Sequence, residues 1–310
     1  MFKSPVNKIR LFEHGAPGSQ NLKLTRKYYT EDMPDGRVKH IVQNITDPDI
    51  VPYIPDGIGN STDRQRIPAV LIIPGGAFRR LVYNFEGEDV AKWLNSMGIA
   101  AFVLECRLPS DEHDNAEDVP LIDAMRAMRV IRGRAQEFCI DEAKIGVMGF
   151  SAGGFMAALL STAYESDVYA DYKYKDEYDK LSARPDFAVC SYPVISIDDC
   201  IEAGKRYMSE EQVLERISDS KAKILHKYNP DKLVRPDMPP VFICETDDDR
   251  TTLSENSVGF YMAARKAGVS AELHIFRTGG HGYGCGDDFA QTGEWKVLFT
   301  KWIKSIGIIS

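Results

Sequence analysis

From residue 69 onwards the chain alternates between short apolar runs and longer amphipathic stretches. The apolar runs are unbroken, which is typical of strands buried on both faces of a parallel sheet. The amphipathic stretches have apolar residues at helical spacing, as in 120–138, where arginines occupy the opposite side. The predicted strands are 69–76, 99–109, 145–150, 187–193, 241–245 and 271–277, and the predicted helices are 87–98, 120–138, 152–163, 253–267 and 294–306.

Two segments depart from this alternation. Residues 1–68 are polar and interrupted by Pro and Gly, which predicts an N-terminal extended segment. Residues 197–238 are charged, helical in parts and flanked by Pro, which predicts a small cap inserted above the strand ends. The whole pattern predicts an α/β fold in a single domain over 1–310, with a mostly parallel central sheet and helices on both faces.

Composition and charge limit the classes of binding partner that the chain can have. The 310 residues are 44% hydrophobic and 27% charged, an ordinary globular balance that allows a full-sized core. A net charge of −8 argues against nucleic acid or an anionic membrane as the main partner. No run approaches the ~18 apolar residues of a membrane span, and the first fifteen residues lack a signal-peptide core. We therefore expect a cytoplasmic protein with no membrane association; homo-oligomerisation stays open.

The stretch Gly149-Phe150-Ser151-Ala152-Gly153 follows an apolar strand and precedes an Ala-rich helix. A G-x-S-x-G pattern at such a junction predicts a strained turn that lifts the hydroxyl of Ser151 clear of the sheet. Gly149 and Gly153 are expected because a Cβ at either position would collide with the neighbouring strand or helix. The pentapeptide alone also fits an ordinary Gly-rich turn, so the surrounding elements carry the prediction that Ser151 is a nucleophile.

A base and an acid follow later strands. His281 lies in "RTGGHGYGCG", just beyond the predicted strand 271–277 and therefore at the carboxyl edge of the sheet. Three acidic residues, Asp247, Asp248 and Asp249, end the strand before it. The chain order Ser, Asp, His is that of α/β-hydrolase triads. A solvated turn, a helix cap or a cation site are the alternatives for the acidic triplet, and the residues alone leave the choice of acid open.

Backbone N–H groups are predicted to complete the site. Gly75 and Gly76 follow the first long strand in "PGGAF", where their N–H groups can face a developing negative charge. The second donor is expected from Ala152, directly after the nucleophile.

Residues 40–306 resemble the α/β-hydrolase superfamily, and more closely a bacterial carboxylesterase branch that includes acetyl esterases and acetylxylan-esterase-like proteins. The stretches that carry the resemblance are "PGGAF", "KIGVMGFSAGG", "PPVFICETDDDRTTLSENS" and "GGHGYG". The resemblance implies Asp249 as the triad acid, because the family's aspartate falls on Asp249 whether the motif is aligned from "PPVFIC" on its left or from "SENS" on its right. Asp248 is the fallback. Glu245 departs from the family's His, and Ala77 replaces a third Gly.

The resulting hypothesis is a serine carboxylesterase that uses Ser151, His281 and Asp249 without cofactor or metal. The resemblance implies a small-molecule substrate, a short acyl and most simply acetyl ester, with acetylated xylo-oligosaccharides as one class. Three aromatic residues near the site are predicted to line the substrate pocket, with plain packing as the alternative: Phe78, Tyr83 and Phe150.

Two other functions stay open. A prolyl-oligopeptidase-like serine peptidase shares the triad order, although no propeller domain precedes the catalytic region. A hydrolase-fold binding protein without catalysis is the second, although such proteins usually lose the serine or the histidine.

Overall fold

The computed structural model describes residues 2–58, 66–206, 208–209, 211–212, 220–286 and 291–310. The strands are β1 (Ile9–Arg10), β2 (Lys27–Asp32), β3 (Val38–Gln43), β4 (Asp49–Tyr53), β5 (Ile67–Ile73), β6 (Leu81–Val82), β7 (Ala100–Glu105), β8 (Ile140–Phe150), β9 (Ala188–Ser191), β10 (Val241–Thr246) and β11 (Ala271–Phe276). The helices are α1 (Asp89–Ser96), α2 (Val119–Gly133), α3 (Ala152–Ala163), α4 (Ile197–Lys205), α5 (Ser220–Lys227), α6 (Ser254–Lys266) and α7 (Glu294–Ser305).

An eight-stranded sheet forms the centre, in the order β1-β4-β7-β5-β8-β9-β10-β11. The six strands from β7 to β11 in this order run parallel, and β4 and β1 join one end antiparallel. Every residue of β7, β9 and β10 is buried, so both faces of the sheet are covered. The predicted mostly parallel sheet is confirmed, and the predicted helix 152–163 has the bounds of α3.

The helices pack on this sheet through large side chains. Trp93 of α1 meets Trp295 of α7 edge-to-face, with ring centroids 4.9 Å apart. Asp123 of α2 pairs at 2.6 Å with Arg107, two residues after the end of β7, and both side chains are fully buried.

The N-terminal segment is more regular than the extended segment that the sequence predicts. Strands β1 and β4 belong to the main sheet, and β2 and β3 form a hairpin that β6 extends to three strands. The sequence did not predict these strands because the segment is rich in polar residues. Some of its charges are paired with residues of the main sheet. Arg26 bonds Asp49 at 2.5 Å and Glu105 at 2.6 Å, and Lys8 bonds Glu105 at 2.5 Å.

The segment between β9 and β10 contains α4, α5 and a short 3-10 turn at Pro230–Lys232. Residues 207, 210 and 213–219 of the predicted cap lie outside the described residues, so the cap stays a prediction. In the part of the chain that is described, no helix combines the length and the apolar character needed to cross a bilayer.

Candidate active site

The junction between β8 and α3 has the predicted strained turn. Ser151 has φ 54° and ψ −118°, a conformation that non-glycine residues rarely adopt. A Cβ at Gly149 would lie 1.9 Å from the carbonyl oxygen of Gly153, and a Cβ at Gly153 would lie 1.9 Å from that of Ile73. Only glycine fits at both positions, so the local sequence forces the turn that presents Ser151 Oγ.

The structure brings Ser151, His281 and Asp249 together from three separate loops. His281 Nε2 lies 2.9 Å from Ser151 Oγ, and His281 Nδ1 lies 2.6 Å from Asp249 Oδ2. The Asp249 side chain is fully buried, whereas that of His281 is 21% exposed. The imidazole therefore bridges a hydroxyl at the surface of the site and a carboxylate beneath it.

Asp249 is held in its charged form by several donors. Its Oδ1 accepts the N–H groups of Thr251 at 2.7 Å and Thr252 at 3.0 Å, and the Thr252 hydroxyl donates to Oδ2 at 3.0 Å. Burial raises the pKa of Asp249, but the hydrogen bond and charge of His281, together with these backbone N–H groups, lower it more. The net pKa lies below the ordinary value, so this carboxylate is ionised at neutral pH.

Asp248, the fallback acid, faces elsewhere. Its Oδ1 accepts the N–H of Gly279 at 2.9 Å and the N–H of Gly280 at 2.8 Å, both in the loop that carries His281. The two neighbouring aspartates thus contact different parts of the same loop, and only Asp249 reaches the imidazole.

The two predicted glycine donors differ. The N–H of Gly75 donates to Glu86 Oε2 at 2.8 Å, so it is already bonded within the protein. Among the residues that the structure describes, neither the N–H of Gly76 nor that of Ala152 meets a backbone or side-chain acceptor, and Ala152 opens helix α3. Of the three predicted N–H donors, Gly76 and Ala152 can therefore bond a ligand, whereas the N–H of Gly75 is already bonded to Glu86.

A small cavity borders these two N–H groups. Its lining includes Phe78, Leu108 and Met156, and its free interior is about 10 Å³, the space of one water molecule or methyl group. Of the three predicted pocket aromatics, the structure places Phe78 at this cavity.

The other two predicted pocket aromatics are buried away from it. Phe150 is 0% exposed and packs against Tyr192 and Trp295, and Tyr83 is 1% exposed and hydrogen-bonded to Tyr53. Phe150 is the last residue of β8, and its ring packs against Trp295 of α7 and does not line this cavity. The prediction of pocket-lining roles for these two residues is therefore wrong.

Sequence reasoning missed several polar residues around the site. Glu86 and Glu245 are buried carboxyl groups, and burial raises the pKa of each, with the Asp249 charge adding to the effect at Glu245. Glu86 lies just ahead of the predicted helix 87–98, where an acidic residue is ordinary. The departure from the family pattern at Glu245 was the one signal that could have drawn attention to it.

In the part of the chain that the structure covers, no group of three or more His, Cys, Asp or Glu side chains is arranged to hold a metal ion.

Known proteins resemble this chain in sequence and in fold. Residues 58–263, more than half of the chain, match the BD-FAE family. The chain belongs to the BD-FAE family. As a member of it, the chain has the α/β-hydrolase fold that its sequence resemblance implies.

Three relatives of this BD-FAE member are informative. An acetylxylan esterase of Xylanibacter ruminicola is 31% identical over 77% of the chain, and endo-1,4-beta-xylanase B of Butyrivibrio fibrisolvens is 31% identical over 73%. The chain spans 45% of the length of the first relative and 34% of the second. The crystal structure of an acetyl ester-xyloside bifunctional hydrolase from Caldicellulosiruptor lactoaceticus superposes with a TM-score of 0.73, at 35% identity, covering 98% of this chain and 97% of that one.

Proposed function

We propose that this BD-FAE-family protein is a serine carboxylesterase that hydrolyses short acyl esters, with Ser151, His281 and Asp249 as its triad. The observation that carries the proposal is the continuous path of two hydrogen bonds from Ser151 Oγ through His281 to Asp249, 2.9 and 2.6 Å long. A hydroxyl, a base and an orienting carboxylate in this arrangement are the parts that nucleophilic acyl transfer needs.

The reaction has two halves. In the first, Ser151 Oγ bonds to the ester carbonyl carbon while His281 Nε2 takes its proton, and the carbonyl electron pair moves onto oxygen. The tetrahedral intermediate collapses by breaking the bond to the alcohol, whose oxygen takes the proton back from His281. In the second half water attacks the acyl-enzyme with His281 again as base, releasing the acid and restoring Ser151. Asp249 orients the imidazole and stabilises its positive charge.

The N–H groups of Gly76 and Ala152 are the proposed donors to the oxyanion. Ala152 lies at the N-terminus of α3, where unpaired N–H groups and the helix dipole favour negative charge. The loss of one such donor typically costs about 3–4 kcal/mol of transition-state stabilisation.

The proposed acyl group is acetyl. The cavity beside Gly76 and Ala152 has room for about one methyl group, and Phe78 and Met156 form part of its wall. Two relatives named for acetylxylan and acetyl ester-xyloside chemistry support acetylated xylo-oligosaccharides as the substrate class.

The test of the nucleophile is Ser151→Ala. This change removes Oγ and should lower kcat for p-nitrophenyl acetate by at least about 10⁴-fold, while Tm stays nearly unchanged. Ser161→Ala is the matched control, since Ser161 lies in α3, the helix that Ser151 precedes, and its hydroxyl donates to the backbone carbonyl of Ala157. Retained turnover by Ser151→Ala would rule out the proposed nucleophile.

The same assays separate the alternatives. A fluorophosphonate that labels wild-type protein at Ser151 excludes a non-catalytic binding protein, and hydrolysis of a proline anilide faster than of the aryl ester would favour the peptidase.

The acyl limit is tested by widening the cavity. Wild-type kcat/KM should fall by about tenfold or more from p-nitrophenyl acetate to the butyrate, because two extra methylenes exceed the space available. Met156→Ala should reduce that ratio, and Met128→Ala, a buried methionine of α2, should leave it unchanged. A wild-type preference for butyrate or longer chains would contradict the acetyl proposal.

A further inference from the structure

A buried carboxyl group lies between the two halves of the proposed site. Glu86 is 5% exposed and belongs to a π-helical turn, Asn84–Glu88, that precedes α1. Its Oε2 accepts the N–H of Gly75 at 2.8 Å, and its Oε1 accepts the hydroxyl of Tyr192 at 2.9 Å. These partners belong to different loops, so one side chain joins segments that are far apart in the sequence.

On one side, Glu86 holds the residue that precedes the proposed oxyanion donor, because it accepts the N–H of the Pro74–Gly75 peptide. The carbonyl of Gly75 accepts the N–H of Val82 at 2.9 Å, so Gly75 is held at both its N–H and its C=O. Because a trans peptide is planar, this fixes the direction of the Gly76 N–H, which points opposite to the Gly75 carbonyl. A Cβ on Gly75 would lie 2.7 Å from Glu86 Oε2 and 2.9 Å from Ser151 Cβ. Glu86, Gly75 and the nucleophile are therefore packed in direct succession.

On the other side, Glu86 reaches the histidine loop through Tyr192. The Tyr192 hydroxyl, while donating to Glu86, accepts the N–H of Gly284 at 3.1 Å, three residues beyond His281. The Tyr192 ring meets the imidazole of His281 edge-to-face, with centroids 5.0 Å apart. The orientation of this ring is set in part by the carboxyl group that holds its hydroxyl.

Burying this carboxyl group costs free energy of folding, which indicates that Glu86 has a role other than filling space. Both hydrogen bonds come from neutral donors, a backbone amide and a phenol, and a carboxyl group buried this way is less favourable than an apolar side chain of similar volume. Burial raises the pKa of Glu86, while the His281 charge, the two hydrogen bonds and the Lys39 charge act in the opposite direction.

We propose that Glu86 is a positioning residue of the esterase site: it holds Gly75, the residue before the proposed donor Gly76, against Ser151 and, through Tyr192, holds the loop that carries His281. The inference rests on the proposed function. It adds a residue that keeps the proposed oxyanion donor and the proposed base in fixed positions relative to each other.

The experiment compares Glu86→Ala, Glu86→Gln and Tyr192→Phe with Glu88→Gln as the matched control. Glu88 lies two residues further along the same turn and pairs with Lys92 at 2.7 Å on the surface. Glu86→Ala should lower kcat for p-nitrophenyl acetate by about 10²-fold with KM nearly unchanged, because the Gly76 N–H acts mainly on the transition state. Glu86→Gln should restore most of kcat, since its amide offers an acceptor to Gly75 and a donor to Tyr192. Tyr192→Phe should fall between these two, and Glu88→Gln should equal the wild type.

Amide hydrogen exchange supplies a readout that does not need turnover. Peptides that contain Gly75 and Gly284 should exchange faster in Glu86→Ala and in Tyr192→Phe, respectively, than in the wild type. If the wild type shows no esterase activity and no fluorophosphonate labelling but the exchange changes as expected, the proposed function fails and the positioning contact stands.

The inference is overturned in either of two ways. An active wild type combined with a Glu86→Ala kcat within about threefold of it would show that the carboxyl group does not position the site. Where Glu86→Ala does not fold, unchanged kcat and unchanged exchange in Tyr192→Phe decide against the link.

Discussion

Two adjacent aspartates make different contacts in this site. Asp249 is buried and reaches the imidazole of His281, whereas Asp248 is exposed and binds two successive backbone N–H groups of the histidine loop. The family resemblance implied that Asp249 would face His281, whereas the residues alone left the choice between the aspartates open. The role of Asp248 as a loop contact could not be predicted, since it depends on where Gly279 and Gly280 fold.

These contacts predict different outcomes for substitutions at neighbouring positions. Asp248→Ala removes an acceptor of two N–H groups and should lower kcat for an aryl acetate by about three- to tenfold through a looser histidine loop. Asp248→Asn keeps an oxygen acceptor and should stay close to the wild type. Asp247→Ala serves as the control, because Asp247 is exposed and its backbone N–H bonds Phe276.

A loss in Asp248→Ala as large as that in Asp249→Ala would contradict this division between the two aspartates. Equal activity of Asp248→Ala and wild type would show that the loop holds its position without the carboxylate.

At the scale of elements, the sequence predicted the parallel strands and their helices well because burial on both faces leaves unbroken apolar runs. Three features escaped this logic. No residue of β2 is fully buried, and in β3 only Ile41 and Val42 are, so both strands have largely polar sequences. The start of β8 includes the exposed residues Glu142 and Ala143, and the turn Asn84–Glu88 differs from an α-helix by one residue per hydrogen bond.

The same reasoning explains which parts of the site were predictable. Ser151 and His281 follow strands and are flanked by glycines, so local sequence marks them. No local sequence pattern identifies Glu86 or Tyr192. Their contact forms only in the folded chain, where the turn after β6 meets the loop after β9. Phe150 is next to Ser151 in the sequence, but closeness in sequence does not place its ring in the pocket, because the ring is fully buried against Tyr192 and Trp295.

For the molecule as a whole, the N-terminal segment is attached to the central sheet by a buried charge network. Asp49 opens β4 directly opposite Glu105 at the end of β7, and the cations Arg26 and Lys8 come from the segment before β4. One oxygen of each of the two carboxyl groups is buried without a hydrogen bond among the described residues. Burial and the Glu105 charge raise the pKa of Asp49 to about 6, although Arg26 and Lys8 act to lower it. Asp49 therefore keeps its proton to a higher pH than an ordinary aspartate does.

This raised pKa predicts how global stability depends on pH. Because Asp49 holds its proton in the folded state up to about pH 6 but releases it near pH 4 when unfolded, its contribution is full below pH 4 and is lost as pH rises through 6. Asp49→Asn cannot ionise, so the free energy of unfolding of the wild type relative to this variant should fall by about 1–3 kcal/mol between pH 4 and pH 8. Urea unfolding at both pH values measures the difference, and Asp56→Asn, at an exposed position nearby in sequence, should give no such trend. A wild type that gains stability relative to Asp49→Asn as pH rises would mean that Arg26 and Lys8 outweigh burial.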